Sequence, residues 1–197
     1  MRDAQSPGYP SGTVSFLFTD IEGSTKLWQS SGEGMSVALS RHDKIVRDEI
    51  VARGGYIFKT VGDAFCAAFH TPYDAVNAAI DAQKALNDEK WTEATQIRVR
   101  MAVHAGSAEE RGGDYFGPTV NRIARIMSAA HGGQILVSQT VFELIRDDLP
   151  PGVNLVDKGE HLLKDLQRPE NLYQIVASGM LHDFPPLRSL DTRKRRT

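Results

Sequence analysis

The hydrophobic positions along the chain follow two periods, one typical of buried strands and the other of amphipathic helices. Residues 13–19 are mostly β-branched or aromatic and predict a buried strand that ends at Asp20. Apolar residues at helical spacing from 35 to 50 predict a helix, which two glycines at 54 and 55 end. The other predicted elements, in chain order, are a short helix at 24–28, strands at 56–60 and 64–69, a helix from 72, a strand at 97–104, a helix from 117 and strands at 135–137 and 171–176.

This order of elements favours an α+β fold. It follows the β-α-β-β-α-β order of a ferredoxin-like, palm-type sheet, and we expect the helices on one face and extra strands near the C-terminus. We expect residues 13–177 to form the domain. Residues 1–12 are rich in Pro, Gly and Ser and predict a flexible lead-in, and residues 178–197 predict a C-terminal tail outside the core.

Composition narrows the class of protein. Of 197 residues, 23 are basic and 25 acidic, and 41% are hydrophobic, which excludes a disordered chain and binding to nucleic acid by overall charge. The single cysteine, Cys66, excludes an intrachain disulfide and a Cys-rich zinc site. No apolar run approaches the roughly 18 residues of a membrane span, and the first twelve residues lack the apolar stretch of a signal peptide. We therefore expect a cytoplasmic protein without a membrane span.

Two aspartates are the first candidates for chemistry. Asp20 closes the first predicted strand, and Asp63 lies in the tight turn of the predicted hairpin. If that strand lies beside the hairpin, both carboxylates reach one edge of the sheet, where they repel each other unless a cation lies between them. Their hard oxygens suit Mg²⁺ or Mn²⁺, and two such ions can promote a phosphoryl displacement. The alternative is that both are ordinary turn residues.

A glycine-containing turn follows Asp20 and leads into a predicted helix. Such a turn can present backbone N–H groups to phosphate oxygens. Many turns from strand to helix contain Gly and Ser, so this segment is weak evidence by itself. Its residues are Ile21, Glu22, Gly23, Ser24 and Thr25.

Two further pairs could recognise a nucleotide. Asn121 and Arg125 are spaced i, i+4 on one helix face, from which an amide and a guanidinium could bind a ribose and a phosphate. An ordinary solvent-exposed pair is the alternative. Lys59 and Asp114 provide a donor and an acceptor that match adenine and oppose guanine. Without a family context, Lys59 is an ordinary surface lysine.

Three ordered segments resemble the catalytic domain of class III nucleotidyl cyclases, most closely the bacterial adenylate cyclases of subgroup IIIc. The resemblance covers nearly the whole predicted domain, from residue 13 to residue 176. The segments are FLFTDIEGST at 16–25, FKTVGDAF at 58–65 and DYFGPTVNRIAR at 114–125, and HGGQI at 131–135 and LKDL at 163–166 are similar to later family segments.

The resemblance implies an adenylate cyclase that converts ATP to 3′,5′-cyclic AMP and pyrophosphate. In this reaction the ribose 3′-oxygen attacks the α-phosphate of the same ATP molecule. Asp20 and Asp63 match the residues that hold two Mg²⁺ or Mn²⁺ ions, with the Ile21 carbonyl as a further ligand. The proton acceptor stays open between Asp20, water and the substrate itself.

The resemblance also implies a homodimer with two shared active sites. In the family, one subunit supplies the metal-binding aspartates and the other supplies the nucleotide-binding residues, and this chain carries both sets. The second set comprises Lys59 and Asp114 for adenine, Asn121 for the ribose, Arg125 for the α-phosphate and Lys164 for the terminal phosphates.

One departure and three alternative functions accompany this hypothesis. Ala64 stands where the family usually has Gly, so an unstrained φ is needed there, and we expect reduced or unchanged activity.

One alternative is a weak or inactive cyclase-like module that dimerises or binds nucleotide in a signalling protein. A guanylate cyclase is opposed by Lys59 and Asp114. A diguanylate cyclase is similar only around residues 61–65.

Overall fold

The structure, a computed structural model, describes residues 8–193. The first seven residues of the predicted lead-in and the last four of the predicted tail lie outside the described residues. The helices are α1 (Ser24–Ser30), α2 (Gly32–Ala52), α3 (Pro72–Asp88), α4 (Pro118–Ala129) and α5 (Gln139–Ile145). The strands are β1 (Thr13–Ile21), β2 (Tyr56–Val61), β3 (Ala64–Phe69), β4 (Val99–Ser107), β5 (Glu109–Arg111), β6 (Asp114–Phe116), β7 (Ile135–Ser138), β8 (Val153–Leu162), β9 (Glu170–Ala177) and β10 (Asp191–Arg193).

Eight of the strands form one sheet in the order β10-β8-β9-β7-β4-β1-β3-β2, and β5 pairs with β6 in a separate hairpin. The order β4-β1-β3-β2 is that of a ferredoxin-like sheet, and the pairing of β4 with β7 is parallel. The α+β class and the predicted β-α-β-β-α-β order are confirmed. In the described part of the chain, no helix combines the length and the apolar character that crossing a membrane requires.

Helices cover both faces of the sheet, and this corrects the expected arrangement on one face. Along β1, Leu17 and Ile21 pack on the side of α2 and α3, whereas Phe16 and Phe18 pack on the side of α4. We call these sides the α2–α3 face and the α4 face. The reason lies in the sequence of β1, whose successive side chains point to opposite faces, with apolar residues on each face and almost every residue buried.

The helix ends follow local chemistry that the sequence predicts. Helices α3 and α4 begin at Pro72 and Pro118, where the missing N–H of proline costs nothing. The Thr71 hydroxyl accepts a hydrogen bond of 3.1 Å from the Asp74 N–H and caps α3. Beyond the end of α2, Gly54 adopts a φ of 71°, which an L-residue rarely takes.

The C-terminal segment packs on the domain, although we expected it to lie outside the core. Leu187 is only 6% exposed and belongs to the apolar cluster on the α4 face. The Arg188 N–H donates to the Ala129 carbonyl at the end of α4, at 3.1 Å, and β10 pairs with β8. Residues 184–190 therefore form what we call the C-terminal strap. Its single buried leucine carried too little periodicity to be recognised in the sequence.

Part of the predicted lead-in is also packed. The Tyr9 ring lies 4.6 Å from the Tyr56 ring, and the buried Tyr115 hydroxyl donates to the Pro10 carbonyl at 2.7 Å. These contacts fix residues 9 and 10 beside the β5–β6 hairpin, so the lead-in is ordered from there onwards.

Replacing Leu187 tests whether the strap belongs to the core. We expect Leu187→Ala to lower the free energy of unfolding by about 2–4 kcal/mol, since it leaves a cavity in the apolar cluster. Leu190→Ala is the matched control, because Leu190 lies in the same segment and is 69% exposed. Urea denaturation of both variants measures the difference. Equal and small losses would contradict this packing.

Candidate active site

The two predicted metal-binding aspartates meet at the end of β1. Asp20 is the penultimate residue of β1, and Asp63 lies in the turn between β2 and β3. Because β1 pairs with β3, with Thr19 opposite Phe65, this turn comes beside the end of β1. The Ile21 N–H donates to Asp63 Oδ2 at 2.8 Å, which locks the turn onto the strand.

Burial and like charge raise the pKa of the Asp20 carboxyl group above its usual value. Burial makes the largest contribution, and the charge and hydrogen bond of Asp63 add to it. Arg100 opposes the rise: its Nε donates to Asp20 Oδ2 at 2.8 Å, and its Nη2 contacts the same oxygen closely. The site thus holds two neighbouring carboxylates, of which Asp20 is paired with a guanidinium.

Arg100 is a site residue that sequence reasoning missed. It faces Asp20 directly across the pairing of β1 with β4. The alternation of residues 97–104 placed an arginine on the polar side of a strand, but only the order of strands brings it to Asp20. A prediction that β1 pairs with β4, with Asp20 opposite Arg100, would have identified this residue.

The oxygen atoms at this edge could hold a divalent cation. Asp20 and Asp63 provide carboxylate oxygens, and the Ile21 carbonyl, which follows Asp20 directly in the chain, is the backbone ligand that the resemblance implies. Within residues 8–193, no group of three or more His, Cys, Asp or Glu side chains forms a metal cage. A cation would neutralise the adjacent charges of Asp20 and Asp63, so the donor set fits Mg²⁺ or Mn²⁺ bound together with water or substrate oxygens.

Lys59 and Asp114 lie in contact on the α4 face, as the predicted base-reading pair requires. Lys59 Nζ is 2.8 Å from Asp114 Oδ2, and the hydrogen bond from Lys59 lowers the pKa of Asp114. Their positions follow from packing, since each lies next to an aromatic residue of one cluster. The Phe58 and Tyr115 rings of that cluster lie 4.9 Å apart.

Cys66 lies opposite Lys59 across the pairing of β2 with β3. Burial raises the pKa of its thiol to about 11, so the thiol is neutral at physiological pH. Cys66 therefore contributes a small apolar surface beside the lysine rather than a charge or a nucleophile.

The predicted ribose- and phosphate-binding residues lie on α4 and in the segment that follows β8. Arg125 on α4 is half-exposed, and its Nη2 lies 2.6 Å from Asp165 Oδ2. Asp165 follows the exposed Lys164 and has a φ of 62°, the only positive φ of a non-glycine residue in the described chain. Asn121 is exposed one helical turn before Arg125. The ion pair of Arg125 with Asp165 therefore brings the segment that carries Lys164 to α4, on which Asn121 also lies.

The turn after Asp20 is arranged differently from a simple phosphate-binding loop. Gly23, with a φ of 69°, is the N-cap residue of α1, which begins at Ser24, and Thr25 is exposed. The Glu22 carboxylate contacts Arg188 of the strap, and although burial raises its pKa, Arg188 lowers it on balance. The Glu22 side chain is therefore engaged within the chain and is not available to a ligand.

Ala64 is accommodated next to Asp63 without strain. Its φ is not positive, so the alanine methyl meets no conformational penalty where the family usually has glycine.

Comparison with known proteins identifies similar sequences. A family model described as the adenylate and guanylate cyclase catalytic domain matches residues 7–177. An uncharacterized protein of Mycobacterium tuberculosis is 39% identical over 182 residues, covering 91% of this chain and 61% of that protein. An adenylate cyclase of Lachancea kluyveri is 36% identical over 154 residues, covering 66% of this chain and 8% of its own length. The chain therefore spans about three fifths of its mycobacterial relative.

Solved structures share the fold. An adenylate cyclase from Trypanosoma brucei in its monomeric state superposes with a TM-score of 0.82 at 28% identity, covering 94% of this chain and 98% of that one. The adenylyl cyclase CyaB from P. aeruginosa gives a TM-score of 0.71 at 25% identity, covering 85% and 95%.

Removing one carboxylate tests the metal site. We expect the melting temperature of the unaltered chain to rise when EDTA is replaced by Mn²⁺, and Asp63→Asn to abolish this rise. In EDTA the variant should be as stable or more stable, by about 1 kcal/mol or less, because two like charges no longer repel. Asp88→Asn at the exposed end of α3 is the control. A rise with Mn²⁺ that survives in Asp63→Asn would contradict the assignment.

Proposed function

Because the chain belongs to the adenylate and guanylate cyclase catalytic-domain family, we propose that it is an adenylate cyclase, which converts ATP to 3′,5′-cyclic AMP and pyrophosphate. The observation that carries the choice of ATP over GTP is the contact of Lys59 with Asp114 at 2.8 Å. Adenylate cyclases among the similar sequences and structures support the same choice.

Base selection follows from the donors and acceptors of this pair. Adenine has an acceptor at N1, which the Lys59 ammonium can satisfy, and an exocyclic amine that can donate to Asp114. Guanine has a donor at N1 and an acceptor at O6, so both protein groups would face an unsuitable partner. The ring of Phe116, 5.8 Å from Lys59 Nζ, adds an aromatic surface beside the pair.

The reaction then depends on positioning. Asp20, Asp63 and the Ile21 carbonyl would hold two Mg²⁺ or Mn²⁺ ions, which when bound favour the deprotonated 3′-oxygen and neutralise the triphosphate. Since both reacting atoms belong to one ATP molecule, holding the ribose and the phosphates in line supplies much of the rate. Arg100, which contacts Asp20 at the same edge of the sheet, would lie where it could bind phosphate oxygens of the substrate.

The groups on α4 and after β8 act on the phosphates and the ribose. Asn121 would orient the ribose and Lys164 would bind the terminal phosphates. Arg125 would exchange Asp165 for the α-phosphate, where charge grows in the transition state. We therefore expect loss of Arg125 to lower kcat more than it raises KM.

We further propose a two-fold homodimer in which each site combines two subunits. The metal-binding aspartates would come from one subunit, and the adenine, ribose and phosphate groups from its partner. One chain carries both sets, so a dimer would have two equivalent sites.

Base selection can be tested by reversing the hydrogen-bonding pattern. We expect Lys59→Glu combined with Asp114→Asn to reduce the ratio of ATP to GTP turnover by at least about ten-fold, since about 1.4 kcal/mol of discrimination is lost. Turnover of both nucleotides with Mg²⁺ and Mn²⁺ measures the ratio. Arg111→Gln removes a cation over the same Phe116 ring and is the control. An unchanged ratio in the double variant would refute this base-reading pair.

Mixing inactive chains tests the shared sites. Asp20→Ala and Arg125→Ala should each lower kcat by about a hundred-fold or more. Random mixing of the two should restore about one quarter of normal activity, because half the dimers are mixed and each has one intact site.

The control for mixing is a pair of variants that damage the same half-site. Asp20→Ala with Asp63→Ala should stay inactive, since every site then lacks a metal-binding aspartate. If the first mixture is as inactive as its parents, or the control mixture recovers, the shared-site hypothesis is wrong. A chain inactive under all conditions would favour the nucleotide-binding module instead.

A further inference from the structure

We propose that the C-terminal strap positions the metal-binding turn, with Arg188 acting through Glu22 on the Ile21 carbonyl. This inference rests on the proposed metal site. It makes Arg188 and Glu22 positioning residues, and it gives a role to a segment that lies beyond the matched catalytic domain at 7–177.

The strap is anchored beside the site at several points. Leu187 is buried, and the Arg188 N–H donates to the Ala129 carbonyl at 3.1 Å. The His131 Nε2 lies 3.0 Å from the Pro186 carbonyl, and the Phe184 ring stacks on His131 at 6.4 Å with the planes 6° apart. These contacts fix the strap over the end of α4, so the position of Arg188 does not depend on its ion pair with Glu22 alone.

The Glu22 side chain, which binds the strap, is held by close contacts on two sides. Its Oε1 contacts Arg188 Nη2 in a close ion pair, and the Gly132 N–H also donates to its carboxylate. A Cβ on Gly132 would lie 2.8 Å from Glu22 Oε2 and 2.6 Å from the Cβ of Arg98. Only glycine at 132 leaves room for the Glu22 side chain, so its position is specified from two sides.

Holding Glu22 also orients the candidate metal ligand. The Ile21 carbonyl and the Glu22 N–H belong to one planar peptide group and point in opposite directions. The Glu22 N–H donates to the Arg98 carbonyl at 2.9 Å, so the Ile21 carbonyl is directed away from it. If Glu22 loses Arg188, this peptide is held by fewer contacts, and a carbonyl ligand that must be in place becomes mobile.

The test measures Mn²⁺ affinity and not turnover. Full-length chains are titrated with Mn²⁺ in the presence of a non-cyclisable ATP analogue, and free Mn²⁺ is followed by electron paramagnetic resonance. We expect Arg188→Gln to weaken Mn²⁺ binding by about ten-fold, the usual size of an outer-shell effect on a metal site. Arg188→Lys, which keeps the charge, should recover most of this loss.

A double-variant cycle shows whether Arg188 acts through Glu22. Arg188→Gln should have no further effect in a Glu22→Gln background. Arg41→Gln, which breaks a comparable surface ion pair with Glu89 at 2.8 Å, is the control and should bind Mn²⁺ normally. The denaturation midpoint of each variant shows that it is folded.

Two results would overturn the inference: normal Mn²⁺ affinity in Arg188→Gln, or an equal loss with and without Glu22. Failure of the proposed function would be distinguishable from both. In that case the unaltered chain would bind Mn²⁺ but form no cyclic AMP, and the affinities would still decide the role of the strap.

Discussion

Strand β1 is the element on which the site depends, because it is paired along both edges and covered by apolar side chains on both faces. A shift of its register would break the pairing along both edges and move Phe16 and Leu17 each into the packing of the opposite face. The backbone at the end of β1 is therefore held in a fixed position. Asp20 at that point meets Asp63 through the pairing with β3 and Arg100 through the pairing with β4, and two like charges are held together by the stability of the sheet.

The charged groups of the candidate site are paired inside the chain. Lys59 contacts Asp114, and Arg125 contacts Asp165. These two pairs are partly exposed, and such pairs contribute only about 0–1 kcal/mol. In the proposed function, a nucleotide would therefore separate Lys59 from Asp114 and displace Asp165 from Arg125 at little energetic cost. Until it binds, these ion pairs keep the lysine and arginine side chains oriented.

The sequence alone predicted those parts that depend on local pattern. Periodicity found β1, α2 and the hairpin around Asp63, and proline positions found the start of α3 and α4. Resemblance to a family found Lys59 and Asp114 as a pair. The sequence did not reveal the roles of Arg100, Arg188 and the buried Leu187. Hydrophobic periodicity does not show which residue a charged side chain on a polar strand face will contact, and it does not reveal that a single leucine in a Pro-rich tail is buried. The helices on both faces of the sheet and the packing of the strap could be recognised only once the order of the strands in the sheet was known.

The irregularity in β2 has a consequence for how base preference can change. Between Ile57 and Lys59 the pairing with β3 shifts by one residue, so Lys59 lies opposite Cys66, on the face that carries Phe18. The extra residue is Phe58, whose ring packs in the apolar cluster of the same face, 4.9 Å from the Tyr115 ring. Deleting Phe58 would restore regular pairing and leave the lysine opposite Cys66, but it would remove the ring that packs against the neighbour of Asp114. A change of one residue in the length of β2 would then disturb the support of the ammonium and its carboxylate without a substitution in either group.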